Sequence, residues 1–173
     1  MRPDVDHLTG CLARTPEVLR ALLAGYDPRR AREKAADGGW SVLEILGHMV
    51  DEEREDFVPR LFSTLEDPSH EWPAIDPEGR VVERDWNASG NLDELLFVLT
   101  TERASALARL RVWPNPDWTR TYAHPVMGPL SAGDLLLSWA THDQLHLRQI
   151  LARLYAHAVD SADGASAAYA GPW

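Results

Sequence analysis

Trp40-Ser41-Val42-Leu43-Glu44-Ile45-Leu46-Gly47-His48-Met49-Val50-Asp51-Glu52-Glu53 reads as the opening of an amphipathic helix. Ser41 with Glu44 three residues on forms a capping box, in which each side chain serves a backbone amide of the first turn. Leu43, Ile45, Leu46, Met49 and Val50 supply a buried face, and Trp40 stands where a hydrophobic staple residue sits. Pro59 is expected to kink or stop the far end.

Three more segments carry the helical period. Residues 6–24 place Leu8, Leu12, Leu19, Leu22 and Leu23 on one stripe. Pro16 either kinks this helix or opens a new one capped by Thr15. Asn91 caps a helix over 92–111 with Leu95, Leu96, Leu99, Ala106, Leu107 and Leu110 as its apolar positions. Ser131 with Asp134 opens a last helix over 131–157, where Leu135, Leu136, Trp139, Leu145, Ile150 and Leu154 form a broad buried face. Residues 67–90 and 112–130 read as irregular, and no strand pattern is visible. Trp72, Trp86, Trp113 and Trp118 fall in these stretches and read as pins holding long loops to the body, with a pocket or a dimer face as the alternative. The fold expected is all-α: a four-helix bundle with a long crossover connection between helices 2 and 3. The bundle takes residues 1–160 as one domain and leaves 161–173 as a C-terminal tail.

Composition excludes several classes. The 27 acidic residues against 17 basic ones give a net charge of -10, which repels a phosphate backbone. The one basic run, Arg29, Arg30, Arg32 and Lys34, is broken by Glu33 and reads as solvent-facing. No apolar run is long enough to span a membrane. The start, Met1-Arg2-Pro3-Asp4, lacks the apolar stretch of a signal peptide, and Cys11 has no second cysteine to pair with. A cytoplasmic protein with neither nucleic-acid nor membrane partners is expected.

His142 and His146 lie one helical turn apart on one face. The pair lies among Leu135, Trp139, Leu145, Gln149 and Ile150, so its face looks inward or half-inward, where unpaired imidazoles are costly. His48, mid-helix beside Met49 and Val50, is the obvious third ligand. Three neutral imidazoles with open coordination positions suit a catalytic metal. The alternative is a core His48 hydrogen-bonded to Glu44 or Glu52, each one turn away. On the residues alone both readings stand.

The segment 40–53, the turn His124-Pro125-Val126-Met127-Gly128-Pro129-Leu130-Ser131 and the closing His142-Asp143-Gln144-Leu145-His146-Leu147-Arg148-Gln149-Ile150 together resemble the DinB/YfiT-like family, in the family's order. The resemblance covers residues 40–150. It implies one divalent metal held by His48, His142 and His146 in a four-helix bundle. Zn, Ni, Fe and Cu all suit three imidazoles. Glu44, Glu52, Glu53 and Asp143 are candidates for hydrogen bonds to the ligand rings. His7, His70, His124 and His157 match no ligand position, although His124 can approach the opening if its loop folds back.

Some members of that family are transferases that use a low-molecular-weight thiol, so the resemblance implies thiol transfer to a small electrophilic substrate as the first activity to consider. Arg148 is then the nearest basic residue for the thiol's polar part, and Cys11 is not a convincing nucleophile. A metal-dependent hydrolase is the alternative, with Glu52 or Asp143 as base. A non-catalytic metal-binding or stress-associated bundle is the third, and it predicts a closed site. Members that dimerise leave a homodimer open.

Overall fold

A computed structural model describes residues 3–171. The chain runs α1 (Val5–Leu23), a 3₁₀ turn (Arg30–Arg32), α2 (Val42–Glu52), a π-helical turn (Glu53–Phe57), α3 (Val58–Glu66), α4 (Pro77–Arg84), α5 (Trp86–Ser89), α6 (Leu92–Val112), β1 (Thr121–His124), β2 (Gly128–Ser131) and α7 (Ala132–Asp160), and a last 3₁₀ turn spans Ala168–Ala170. The caps fall where the side chains put them. Ser41 with Glu44, and Ser131 with Asp134, form complete capping boxes, and Asn91 accepts the amides of Asp93 and Glu94.

α1, α2–α3, α6 and α7 make the four-helix bundle. α1 packs on α6 and α7, α2 packs on the same two, and α3 continues α2 along α7. The first two helices therefore sit on a diagonal. The connection between α3 and α6 crosses the outside of the bundle and folds into α4 and α5, which both pack on α2. A segment that read as irregular is thus half helical, with Asp76 capping α4.

Both prolines in the long helices are absorbed rather than obeyed as breaks. α1 runs through Pro16 without interruption. Pro59 follows a π-helical turn, and the helix then continues to Glu66. A π turn inserts one residue into the helical count, so side chains beyond it change face.

Three expectations need correction. Residues 121–131 form an antiparallel hairpin, with Tyr122 opposite Leu130 and Gly128 at positive φ closing the turn; its strands are too short for an alternating pattern to show in sequence. The basic run does not face water as a unit. Arg30 donates to the His157 carbonyl, Arg32 to the carbonyls of Asn87, Ala88 and Gly90, Lys34 pairs with Glu44 at 2.8 Å, and Arg29, the most exposed of the four, pairs with Asp27 at 3.2 Å. Leu145 is 51% exposed, because the inward face of α7 passes through His142, His146 and Ile150 instead. Beyond α7 the tail to residue 171 is mostly exposed, and Trp173 lies outside the described residues.

The core divides into two apolar halves. One gathers Leu12, Leu61, Phe62, Leu110, Leu136 and Trp139; the other Leu19, Leu43, Leu46, Leu99 and Ile150. Between them every bundle helix contributes a polar group at the same level. Arg103 of α6, 2% exposed, is the centre. Its Nε and Nη2 donate to Glu53 at 2.9 Å, its Nη1 and Nη2 to Asp143 at 2.7 and 3.1 Å, and its Nη1 also to the Leu12 carbonyl at 2.8 Å. Trp139 Nε1 donates to Glu53 at 2.9 Å. Burial works against the guanidinium charge, but the Asp143 and Glu53 carboxylates hold the Arg103 pKa above its ordinary value.

The connections are pinned by their tryptophans, as the blander reading has it. Trp72 stacks on Tyr122 with ring centroids 3.8 Å apart. Trp86 lies flat against Gly47, where any Cβ would enter its ring, and donates to Asp51 at 2.7 Å. Gly47→Ala should therefore cost about 1–3 kcal/mol by overpacking and release Trp86, seen as lower denaturant midpoint with a red-shifted fluorescence. Arg103→Met should cost about 3–5 kcal/mol, because it leaves Glu53 and Asp143 buried without their partner. Arg103→Lys should restore little of that loss, since three donors on a flexible stem cannot replace a five-donor fork.

Candidate metal centre

His48 comes from the middle of α2, and His142 and His146 from successive turns of α7, which packs on α2. The structure brings all three together. Nε2 of His142 lies 3.2 Å from Nε2 of His48 and 2.9 Å from Nε2 of His146. The three donor atoms lie within 4.8 Å of one another, and this is the metal-competent cluster found among the described residues. A metal–nitrogen bond of about 2.0–2.1 Å separates neighbouring ligands by about 3.3 Å in tetrahedral and 2.9 Å in octahedral geometry. The observed separations fit both.

Electrostatics fit as well. Burial, with help from the neighbouring His146, holds His48 at about 3; burial and the same neighbour, with His48 and Arg103, do so for His142. Burial also lowers His146. All three rings are thus neutral at ordinary pH, with lone pairs free for a cation. His146 Nδ1 faces Gln149 Oε1 at 2.7 Å. An amide oxygen only accepts, so the ring proton sits on Nδ1 and the Nε2 lone pair turns to the cluster. His48 Nδ1 is buried and makes no hydrogen bond among the described residues; Glu52 Oε1 stands 3.9 Å away. The simple alternative, a core His48 hydrogen-bonded to Glu44 or Glu52, is not what the geometry contains.

The walls are aromatic. The Trp40 ring lies 4.7 Å from that of His48 and stacks on His146, and Phe57 packs 4.9 Å from His142. Trp40, expected as a staple, therefore also covers the cluster. The candidate carboxylates separate into three roles. Glu44 caps α2 and pairs with Lys34. Glu53 and Asp143 belong to the Arg103 network. Glu52 alone lies beside a cluster histidine, next to Asp56, which Arg60 holds at 2.8 Å. Burial, reinforced by Asp56, pushes Glu52 up to about 8.

Arg103 and Asp56 had no signal in a linear reading, since neither belongs to a motif and their partners are far away in sequence. His124, in β1, accepts the Val126 and Met127 amides on Nδ1 and packs edge-on to Trp72. His157 instead bonds Tyr26 and faces Glu33 at the far end of α7.

The sequence profile of the DinB superfamily matches residues 12–150. The chain belongs to the DinB superfamily. A candidate metal-dependent hydrolase of Geobacillus thermodenitrificans (strain NG80-2) is 30% identical over 74 residues, 43% of this chain and 39% of that protein. The match thus spans about two fifths of the relative's length. Among solved structures, YfiT from Bacillus subtilis, described as a candidate metal-dependent hydrolase with an unusual four-helix bundle topology, superposes with a TM-score of 0.79 at 17% identity, over 89% of this chain and 87% of that one. TT2238, a four-helix bundle protein, gives 0.60 at 22% identity over 86% and 98%. These two likenesses establish the bundle fold.

Gln149→Leu should weaken divalent-ion affinity about 10–100-fold without unfolding the protein, because His146 loses the partner that fixes its tautomer. Competition against a chromophoric chelator measures it; unchanged affinity would remove Gln149 from the site.

Proposed function

We propose that this protein is a metal-dependent hydrolase of a small electrophilic substrate, with one divalent ion held by His48, His142 and His146. The convergence of three neutral Nε2 atoms carries the reading. A divalent ion there supplies Lewis acidity, activating a small nucleophile and polarising an electrophile. The remaining work falls to the chain. Glu52, on the wall of an adjoining cavity and paired with Asp56, is placed to hold and move a proton. In hydrolysis, water oxygen bonds the electrophilic carbon, the bond to the leaving group breaks, and the leaving group takes a proton. Trp40 and Phe57 limit the water that reaches the imidazoles.

Thiol transfer to a small electrophile is the second reading, favoured by the three-imidazole donor set, which suits ions such as zinc that also take thiolate. Its nucleophile would arrive as a low-molecular-weight thiol, because Cys11 sits on α1 beside His7 and Arg14 rather than at the cluster. Arg148 is exposed, two residues beyond His146 and so on the opposite side of α7. Cavities of about 320 and 360 Å³ lie behind residues that touch the cluster, Glu52 for the first and Trp40 and Gln149 for the second, and this favours a catalytic over a purely structural role. The proposal takes the protein as cytoplasmic, with a small-molecule substrate, no nucleic-acid or membrane partner, and a homodimer open to it; no described helix is long and apolar enough to cross a membrane.

Protein purified without a metal-affinity tag should contain about one equivalent of divalent metal, lost in His142→Ala. Metal-loaded protein should cleave aryl esters or amides, and Glu52→Gln should lower turnover about 100-fold with metal content unchanged. Consumption of an added thiol in place of water would select transfer. Full metal content without either activity would leave the structural role.

A further inference from the structure

The histidine cluster is walled in. His48 and His146 are 5% and 6% exposed, His142 is half-buried, and neither adjoining cavity has a cluster histidine in its lining. An ion there, and any substrate that takes its open coordination position, must still reach the three Nε2 atoms. One wall has to move, and the walls are held very differently.

Glu52 and Gln149 stand on the continuous helices α2 and α7. Phe57 ends the π turn and stacks on Trp139, a fully buried ring that donates to Glu53 in the Arg103 layer. Trp40 stands on no helix. It precedes Ser41, the cap of α2, and follows a turn at 35–39. Among the described residues the hydrogen bonds of that turn stay within it. The Ala35 amide donates to the Gly39 carbonyl at 3.1 Å, the Gly38 amide to the Ala35 carbonyl at 2.9 Å, and the Gly39 amide to Asp37 at 3.0 Å. Ala36, Asp37 and Gly38 are exposed, and Gly38 takes a φ of 83° with open space beside it. An exposed turn bonded only to itself belongs to the part of a fold that opens most readily.

The Trp40 ring has the cluster on one side and free space on another. It lies 4.7 Å from the His48 ring between centroids and stacks on His146. It also lines the cavity of about 360 Å³, together with Asp37 and Gly39 of the turn and Gln149 and Arg153 of α7. The indole is therefore the partition between that cavity and two of the three imidazoles. The capping box of Ser41 and Glu44 holds the start of α2 while the turn before it moves.

We propose that Trp40 is a gate: the turn at 35–39 carries its indole off His48 and His146, and ions and substrate enter the centre from the cavity behind it. This rests on the metal-dependent reading of the site and adds the route into it. A gate sets how fast the site fills and empties, through the fraction of time it stands open, and leaves the affinity to the ligands.

The test follows cobalt(II) uptake by metal-free full-length protein in stopped flow, and its release to excess chelator. Trp40→Ala should raise both rate constants together by at least about tenfold, with Kd changed less than about threefold. Trp40→Phe keeps an apolar ring before the cap, so it serves if the alanine variant folds poorly, and it should raise both rates about threefold. Phe57→Leu should leave both rates within about twofold of the parent. Faster release alone, with weaker binding, makes Trp40 a fixed wall and overturns the gate. Unchanged rates in Trp40→Phe, or a larger rise in Phe57→Leu than in Trp40→Phe, overturn it too, and in each of these cases the metal reading stands. Parent and variants that all take up no cobalt overturn both.

Discussion

The guanidinium of Arg103 touches all four helices of the bundle. All five of its N–H groups find acceptors, on Glu53, Asp143 and the Leu12 carbonyl. The last contact explains why α1 tolerates a proline. Pro16 has no N–H to give the carbonyl four residues back, and that carbonyl belongs to Leu12. Arg103 supplies the missing donor from the neighbouring helix. A defect in one helix and a buried charge in another thus answer each other, and α1 stays continuous without an orphaned acceptor in the core.

That network also aligns the metal centre. Asp143 follows His142 directly, and Glu53 follows Glu52. Sliding α7 or α2 by one residue would pull a carboxylate from Arg103 and carry a histidine off the cluster at the same time. The π turn beginning at Glu53 belongs to the same arrangement. It lets Glu52 lie beside His48 and Glu53 face Arg103, and still brings Phe57 round against His142. A regular helix turns adjacent residues by about 100° and would have to choose among these contacts.

How far this was legible in the sequence depended on the range of each interaction. Local chemistry read correctly: Ser41 with Glu44, Asn91, and Ser131 with Asp134 all cap where their spacing put them. The bundle fold followed from four apolar stripes. His48, His142 and His146 could be singled out because two share a helical face and the third sits on an apolar one. Arg103 could not, because a lone arginine among Thr101, Glu102 and Ala104 looks like a solvated residue until its partners, 40 to 91 positions away, are known. The basic run at 29–34 misled for the same reason, since carbonyls are acceptors that no composition reveals. Leu145 misled because two histidines had claimed the inward face. The hairpin at 121–131 was hidden by its short strands and by two prolines.

The balance of charge in the polar layer bears on what an ion does to this fold. Two carboxylates meet one guanidinium, so the layer holds an excess of negative charge or one shared proton, and burial raises the Glu53 pKa accordingly. Three neutral imidazoles lie alongside, and a divalent ion bound there would find that excess already in place. The ligands need no ion to assemble. His48 is held by the apolar face of α2, and His142 and His146 by a helix whose neighbours Trp139 and Ile150 are buried on either side. In a small zinc module the metal replaces a missing core. Here two apolar halves supply a core on either side of the site, so an ion bound there adds to a fold that already has one.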